Sequence, residues 1–95
     1  MFFVTADEDR IIGTVLAGYD GHRGWIYSLA VAPELRRCGI GSQLMRHAEH
    51  ELARLGCPKI NLQVRADNAE MVAFYESLGF RAEARISMGK PTLDG

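Results

Sequence analysis

The sequence has 95 residues, with 11 basic and 12 acidic side chains and a formal net charge of -1. That length accommodates one small domain, residues 1–95, and excludes two. Hydrophobic residues at 47% and charged residues at 24% describe a folded globular chain rather than a disordered one, and the near-balance of charge gives no support to nucleic-acid or membrane-surface binding. The first residues lack the basic flank and the long apolar run of a signal peptide. Cys38 and Cys57 form no CxxC pair, and no His or Cys cluster has zinc spacing. Both read as reduced thiols of a cytoplasmic protein, with no metal implied.

In chain order, residues 2–6 (FFVTA) form a strand-like run and residues 7–9 a polar turn. Residues 10–17 (RIIGTVLA) are a second strand, rich in β-branched side chains. The two read as an antiparallel hairpin. Residues 19–24 (YDGHRG) make a turn. Residues 25–31 (WIYSLAV) are a third strand, stopped by Pro33. A helix follows, with apolar residues at Ile40, Leu44, Ala48, Leu52 and Leu55, Met45 widening the stripe, and Gly56 at its end. Residues 59–64 (KINLQV) alternate as a half-buried strand. A second helix covers about residues 69–78, with Asp67 and Glu70 able to form a capping box and Gly79 able to close it. Residues 80–88 are a last strand of open register. The order β-β-β-α-β-α-β predicts a mixed α/β sheet with packed helices. The strand–helix–strand unit across residues 25–64 is a right-handed parallel crossover if both strands share one sheet.

The most informative segment is Arg36-x-x-Gly39-x-Gly41, between a strand and a helix. A helix start leaves backbone N–H groups unpaired, and the helix dipole adds partial positive charge there. Glycines permit close backbone approach. Together these make a cradle suited to a pyrophosphate, with Arg36 and Arg37 adding charge. The alternative is a turn merely shaped by Gly39 and Gly41, with solvated arginines. There is no Gly-Lys-Ser/Thr of a P-loop, and Leu44 stands where a dinucleotide fingerprint needs its third glycine.

This segment resembles the coenzyme-A signature of the GNAT acetyltransferases, Arg/Gln-x-x-Gly-x-Gly/Ala. Residues 29–33 (LAVAP) look like the strand leading into that signature. Asn68, Tyr75 and Leu78-Gly79-Phe80 look like the family's Asn…Tyr…LGF block. The spacing is similar to that of ribosomal-protein alanine N-acetyltransferases, and also to a bacterial branch with a GYDGHRG turn and a GCPKI strand start. The resemblance implies a mainly antiparallel sheet in which one parallel strand pair splays. It implies acetyl-CoA as cosubstrate. The pantetheine arm would bond backbone groups of Leu29, Ala30 and Val31. The pyrophosphate would lie on the amides of Arg37, Cys38, Gly39, Ile40, Gly41 and Ser42. Asn68 would bond the pantetheine, or cap the second helix, or both if Asp67 does the capping.

In such a family the acceptor amine attacks the thioester directly, so neither cysteine need be a nucleophile. Packing or surface roles suit both. A backbone N–H of the splayed strand would steady the developing oxyanion. Tyr75 would give a proton to the departing thiolate; its other reading is a core aromatic beside Phe74. Gln63 departs from the pattern, because the alanine-acetylating relatives carry a glutamate base there. At pH 7, deprotonating a lysine-like amine costs about 4.6 kcal/mol and an α-amine only about 1 kcal/mol. Tyr27, Asp20, His22 and Glu76 are conceivable bases, none preferred. Asp20, His22 and Arg23 suit a structural or surface role better, and His47 and His50 a solvated face.

The resemblance implies a small-molecule or peptide amine as acceptor. The alternative function is a coenzyme-A-binding module or subunit without catalysis. The chain opens at what resembles the family's second strand and so reads as N-terminally shortened. That leaves a sheet edge and an apolar face for a partner, and predicts a homodimer.

Overall fold

The computed structural model describes residues 2–7, 10–35 and 38–92. It divides into two units, Met1–Arg65 and Ala66–Gly95.

The first unit is a four-stranded sheet with one long helix. Strand β1 (Phe2–Asp7) pairs antiparallel with β2 (Arg10–Tyr19), and β2 pairs antiparallel with β3 (Gly24–Val31). Helix α1 (Ile40–Arg54) follows, then β4 (Ile60–Leu62), which pairs parallel with β3. The sheet order is β1-β2-β3-β4. The expected hairpin and parallel crossover are both present. The expected strand over residues 59–64 is shorter, because its ladder on β3 covers only Ile60, Asn61 and Leu62.

Two ladders slip by one residue. Thr5 pairs with Gly13 and Ala6 with Ile11, so Ile12 is extra on β2. Leu16 pairs with Ser28 and Ala17 with Ile26, so Tyr27 is extra on β3. An extra residue bends the strand and increases its local twist.

The helix stripe read from the sequence is the core. Leu44, Met45, Ala48 and Leu52 of α1 are buried, as are Ile12, Val15 and Ala17 of β2 and Ile26 of β3. Each fully buried residue of Leu, Met or Val size contributes about 1.5–3 kcal/mol. Leu55 departs from the stripe. It is the helix C-cap and is 49% exposed, because the chain has already begun to turn away there. Gly56 at φ 88° completes that turn, with its N–H on Ala53 O and the N–H of Cys57 on Leu52 O. Cys57 is half-buried, and its thiol donates to Lys59 O at 3.2 Å, in keeping with a packing role.

In the second unit, α2 (Ala69–Ser77) starts on Asn68 and not on an Asp67–Glu70 box. Asn68 Oδ1 accepts from the N–H of Met71 at 3.2 Å. The box fails by register, because Glu70 stands one place short of the third helical position. The expected strand over residues 80–88 is also absent. These residues form no strand, and no ladder of the sheet includes them. Within the segment Arg85 N–H donates to Glu83 O at 2.8 Å, a local bend in place of a ladder bond.

Gly13 fixes how closely α1 approaches β2. A Cβ there would lie 2.8 Å from Leu44 Cδ1, 3.0 Å from Ile40 Cγ2 and 3.3 Å from Ala30 O. Gly13→Ala is expected to destabilise the protein by about 1–3 kcal/mol through overpacking. A melting temperature several degrees lower would register it, at about 4–8 °C per kcal/mol for a domain of this size. An unchanged melting temperature would show that α1 can shift freely.

Candidate coenzyme-binding and catalytic site

The start of α1 is open. Its N-cap is Gly39, at φ 81° and ψ 4°, and no side chain caps the helix. The left-handed conformation costs an L-residue about 1–2 kcal/mol and glycine almost nothing. The first turn holds no acidic residue. The Gln43 N–H reaches Gly39 O at 3.0 Å and is the first of the helical bonds. The amides of Ile40, Gly41 and Ser42 precede it and have no carbonyl within the helix to bond. Gly39 is exposed, with nothing within 4 Å of where a Cβ would stand. The contrast with α2 is direct. There Asn68 caps, and Glu70 occupies the first turn. One helix start is satisfied by its own side chains; at the other no side chain caps the first amides.

Leu29, Ala30 and Val31 form the end of β3. They pair with Val15, Thr14 and Gly13 of β2. On the other side, the parallel ladder with β4 stops at Ile26–Leu62. β3 therefore runs on past the parallel ladder, which stops just where Tyr27 bulges. Among the described residues, no strand pairs with that side of Leu29–Val31. This is the splay that the resemblance implied.

Ala30 and Ile40 are brought together at Gly13, where Ala30 O and Ile40 Cγ2 would both lie within 3.3 Å of a Cβ on that glycine. The end of β3 and the start of α1 thus share one narrow junction. Cys38 is exposed beside it, and its N–H donates to Leu35 O at 3.2 Å. Ile40, Gly41 and Ser42 are half-buried. Arg36 and Arg37 lie outside the described residues.

Asn68 and Tyr75 belong to the second unit. Asn68 is exposed, with its Oδ1 committed to the helix cap. Tyr75 is 8% exposed, and burial raises its phenol pKa above the ordinary value. Its ring makes edge contacts with Phe74 at 5.1 Å and Phe80 at 5.8 Å between centroids. The helix ends around it. Phe80 N–H donates to Tyr75 O at 3.1 Å and Gly79 N–H to Glu76 O at 3.0 Å, with Gly79 at φ 97°. Leu78-Gly79-Phe80 is therefore a left-handed helix stop whose last ring packs on the tyrosine.

Of the conceivable bases, Asp20 is a turn-former. Its Oδ1 accepts the N–H groups of His22 and Arg23, both at 2.8 Å. The bond from Arg23 and then that from His22 hold its carboxyl below the ordinary range. His22 and Arg23 are exposed on that turn, and Tyr27 is 64% exposed. Gln63 is exposed just past β4. His47 is exposed, its ring edge-on to Phe3 at 4.6 Å. Among the described residues, no group of three or more His, Cys, Asp or Glu could hold a metal ion, and no helix is long and apolar enough to cross a membrane.

Gly13 is the site residue that sequence reading missed. Its signal was available: a lone glycine inside a β-branched strand marks a bulge or a close backbone approach. The Tyr27 bulge carries no comparable mark.

Comparison with known proteins agrees with this geometry. A model of the acetyltransferase (GNAT) family matches residues 1–80. Acetyltransferase YE1169 of Yersinia enterocolitica is 40% identical over 90 residues, 95% of this chain and 64% of its own length. The ribosomal-protein-S18-alanine N-acetyltransferase of Escherichia coli superposes with a TM-score of 0.81 at 30% identity, over 88% of this chain and 54% of that one. Aminoglycoside N-acetyltransferase AAC(6')-Iy, solved in complex with CoA, shares the fold at a TM-score of 0.85 and 18% identity, over 97% of this chain and 75% of that one. The chain thus spans less than two thirds of the length of the first two. An open helix start after Gly39, a strand pair that splays beyond Ile26 and a family match across 1–80 lead to one assignment: the chain belongs to the acetyltransferase (GNAT) family.

Proposed function

We propose that this protein transfers an acetyl group from acetyl-CoA to an amine, without an acyl-enzyme. The observation that carries the reading is the uncapped start of α1, where Ile40, Gly41 and Ser42 offer amides to an anion beside the unpaired side of β3. These groups fit the coenzyme: the helix start suits its pyrophosphate and the strand side its amide-bearing arm. The family match and a relative of this fold solved with CoA support the same cosubstrate.

Acetyl-CoA supplies the activated thioester. The backbone of Leu29, Ala30 and Val31 binds and orients its arm, and Arg36, Arg37, Cys38 and Gly39 complete the phosphate turn. Asn68 donates through its amide nitrogen while its oxygen caps α2. An amine attacks the carbonyl, the new C–N bond forms, and the C–S bond breaks. The amine's proton passes to solvent, Tyr75 gives its own to the leaving thiolate, and the phenolate is reprotonated from solvent. Burial suits Tyr75 to that role by keeping its phenol protonated. With Gln63 where relatives carry a base, an amine of low basicity is the favoured acceptor, since its neutral form is already populated near pH 7.

A second reading, a coenzyme-binding module without catalysis, rests on Gln63. Thiol release with a panel of amines separates the two. Amine-dependent release supports transfer, whereas tight coenzyme binding with no release for any amine supports the module.

Acetyl-CoA at 100 times its dissociation constant should stabilise the protein by about 2.7 kcal/mol. In Gly41→Val that thermal shift should vanish while the ligand-free melting temperature stays close to wild type. A retained shift would remove the α1 start from the binding site.

Tyr75→Phe should lower kcat by about 10²-fold or more and keep the coenzyme-induced thermal shift. Because burial raises the phenol's pKa, the alkaline fall in kcat due to Tyr75 belongs above the ordinary tyrosine value of about 10, and it should disappear in the variant. An unchanged kcat would exclude Tyr75 as the donor.

A further inference from the structure

Tyr27 is the extra residue of the β3 bulge and the first residue past the last parallel pair, Ile26–Leu62. A bulge beside a site commonly re-aims a side chain. Here that side chain is a ring that is 64% exposed and yet seated. A Cβ added at Gly18 would lie 3.0 Å from Tyr27 Cε2, 3.4 Å from its hydroxyl oxygen and 3.6 Å from Cζ. The ring rests on β2 where that strand carries no side chain.

Alternation along β2 decides which face of the sheet this is. Gly13 turns toward α1, where its Cβ would meet Leu44 and Ile40. Leu16 and Gly18 lie an odd number of residues further on, so they turn to the opposite face. Tyr27 lies over Gly18 and shares that face with Leu16, itself 39% exposed. Helix α1 packs on the other face, so this one is where a second molecule can reach β3 within the first unit. From Ala30, which meets Ile40 at Gly13, back to Tyr27 is about 10 Å of strand. The side of β3 that no described strand pairs with therefore has the open helix start at one end and an apolar platform at the other.

We propose, on the reading that the protein transfers acetyl to an amine, that Tyr27 is a specificity-determining residue. Its exposed ring face is the platform for the acceptor's substituent, and Gly18 is the positioning residue that lets the ring lie against β2. The acceptor class is an α-amine with an apolar group on the neighbouring carbon. Such an amine suits the chain twice over. Its neutral form is populated near pH 7 with Gln63 in place of a base, and its apolar group covers the bare ring.

The test compares glycinamide with phenylalaninamide, two α-amines that differ in the substituent. Wild-type kcat/KM should favour phenylalaninamide by about ten-fold or more. Tyr27→Ala should cut that preference by about ten-fold through KM. Gly18→Val, which displaces the ring, should act in the same direction. Both variants should keep the acetyl-CoA thermal shift. Tyr27→Phe should keep the preference, because the ring face and not the hydroxyl makes the contact. With coenzyme A bound, added phenylalaninamide should move the NMR resonances of the Tyr27 ring and the Leu16 methyls. Four results would overturn the proposal: no preference in the wild type, a preference that survives Tyr27→Ala, turnover lost at unchanged KM in Tyr27→Phe, or Tyr27 resonances indifferent to phenylalaninamide. Absence of thiol release with every amine would instead remove the transfer reading, and the resonances alone would then decide whether Tyr27 is a platform.

Discussion

Strand β3 is held on two sides for its first three residues and on one side after that. Gly24, Trp25 and Ile26 pair with β4 as well as β2, whereas among the described residues Leu29, Ala30 and Val31 pair only with β2. The Tyr27 bulge lies at the change. A backbone with one free side is costly if buried and useful if a ligand can bond it. The bulge bends β3 and adds local twist without breaking the β2 ladder, so the antiparallel pairing continues where the parallel ladder stops.

Helix α1 begins beside that end of β3. Gly13 allows this by having no side chain, so that Ile40, Leu44 and Ala30 O crowd one point on β2. Gly39 then turns the chain into the helix without placing a capping side chain over the first amides. In the proposed reading, recognition of an anion and of an extended amide chain falls to backbone groups of the first unit.

Much of this was legible in the sequence. The four-residue spacing of Ile40, Leu44, Ala48 and Leu52 marked the long helix and its buried face. Pro33, Gly56 and Gly79 marked boundaries through backbone chemistry that does not depend on tertiary context. The glycine-led, uncapped start of α1 was marked by Gly39 and Gly41, and the family by a resemblance in three ordered blocks. What escaped was set by partners rather than by local preference. A bulge depends on the register of two ladders at once, and Tyr27 looks like any strand residue. The length of β4 was decided by where β3 turns away. Asn68 and Asp67 are equally good caps, and only the helix register chose between them. Residues 80–88 have every local mark of a strand and no ladder in the described chain.

The end of α2 joins two demands on one residue. Phe80 closes the helix by donating to Tyr75 O and laying its ring against the Tyr75 ring. The side chain proposed as the proton donor is therefore also the floor on which the helix stop rests. Phenylalanine at 75 would retain nearly all of that packing, but a small residue would undo it. A descendant that had abandoned chemistry altogether would still be pressed to keep an aromatic ring there. An aromatic ring at that position, taken alone, testifies to an intact fold; only the hydroxyl on it speaks to turnover.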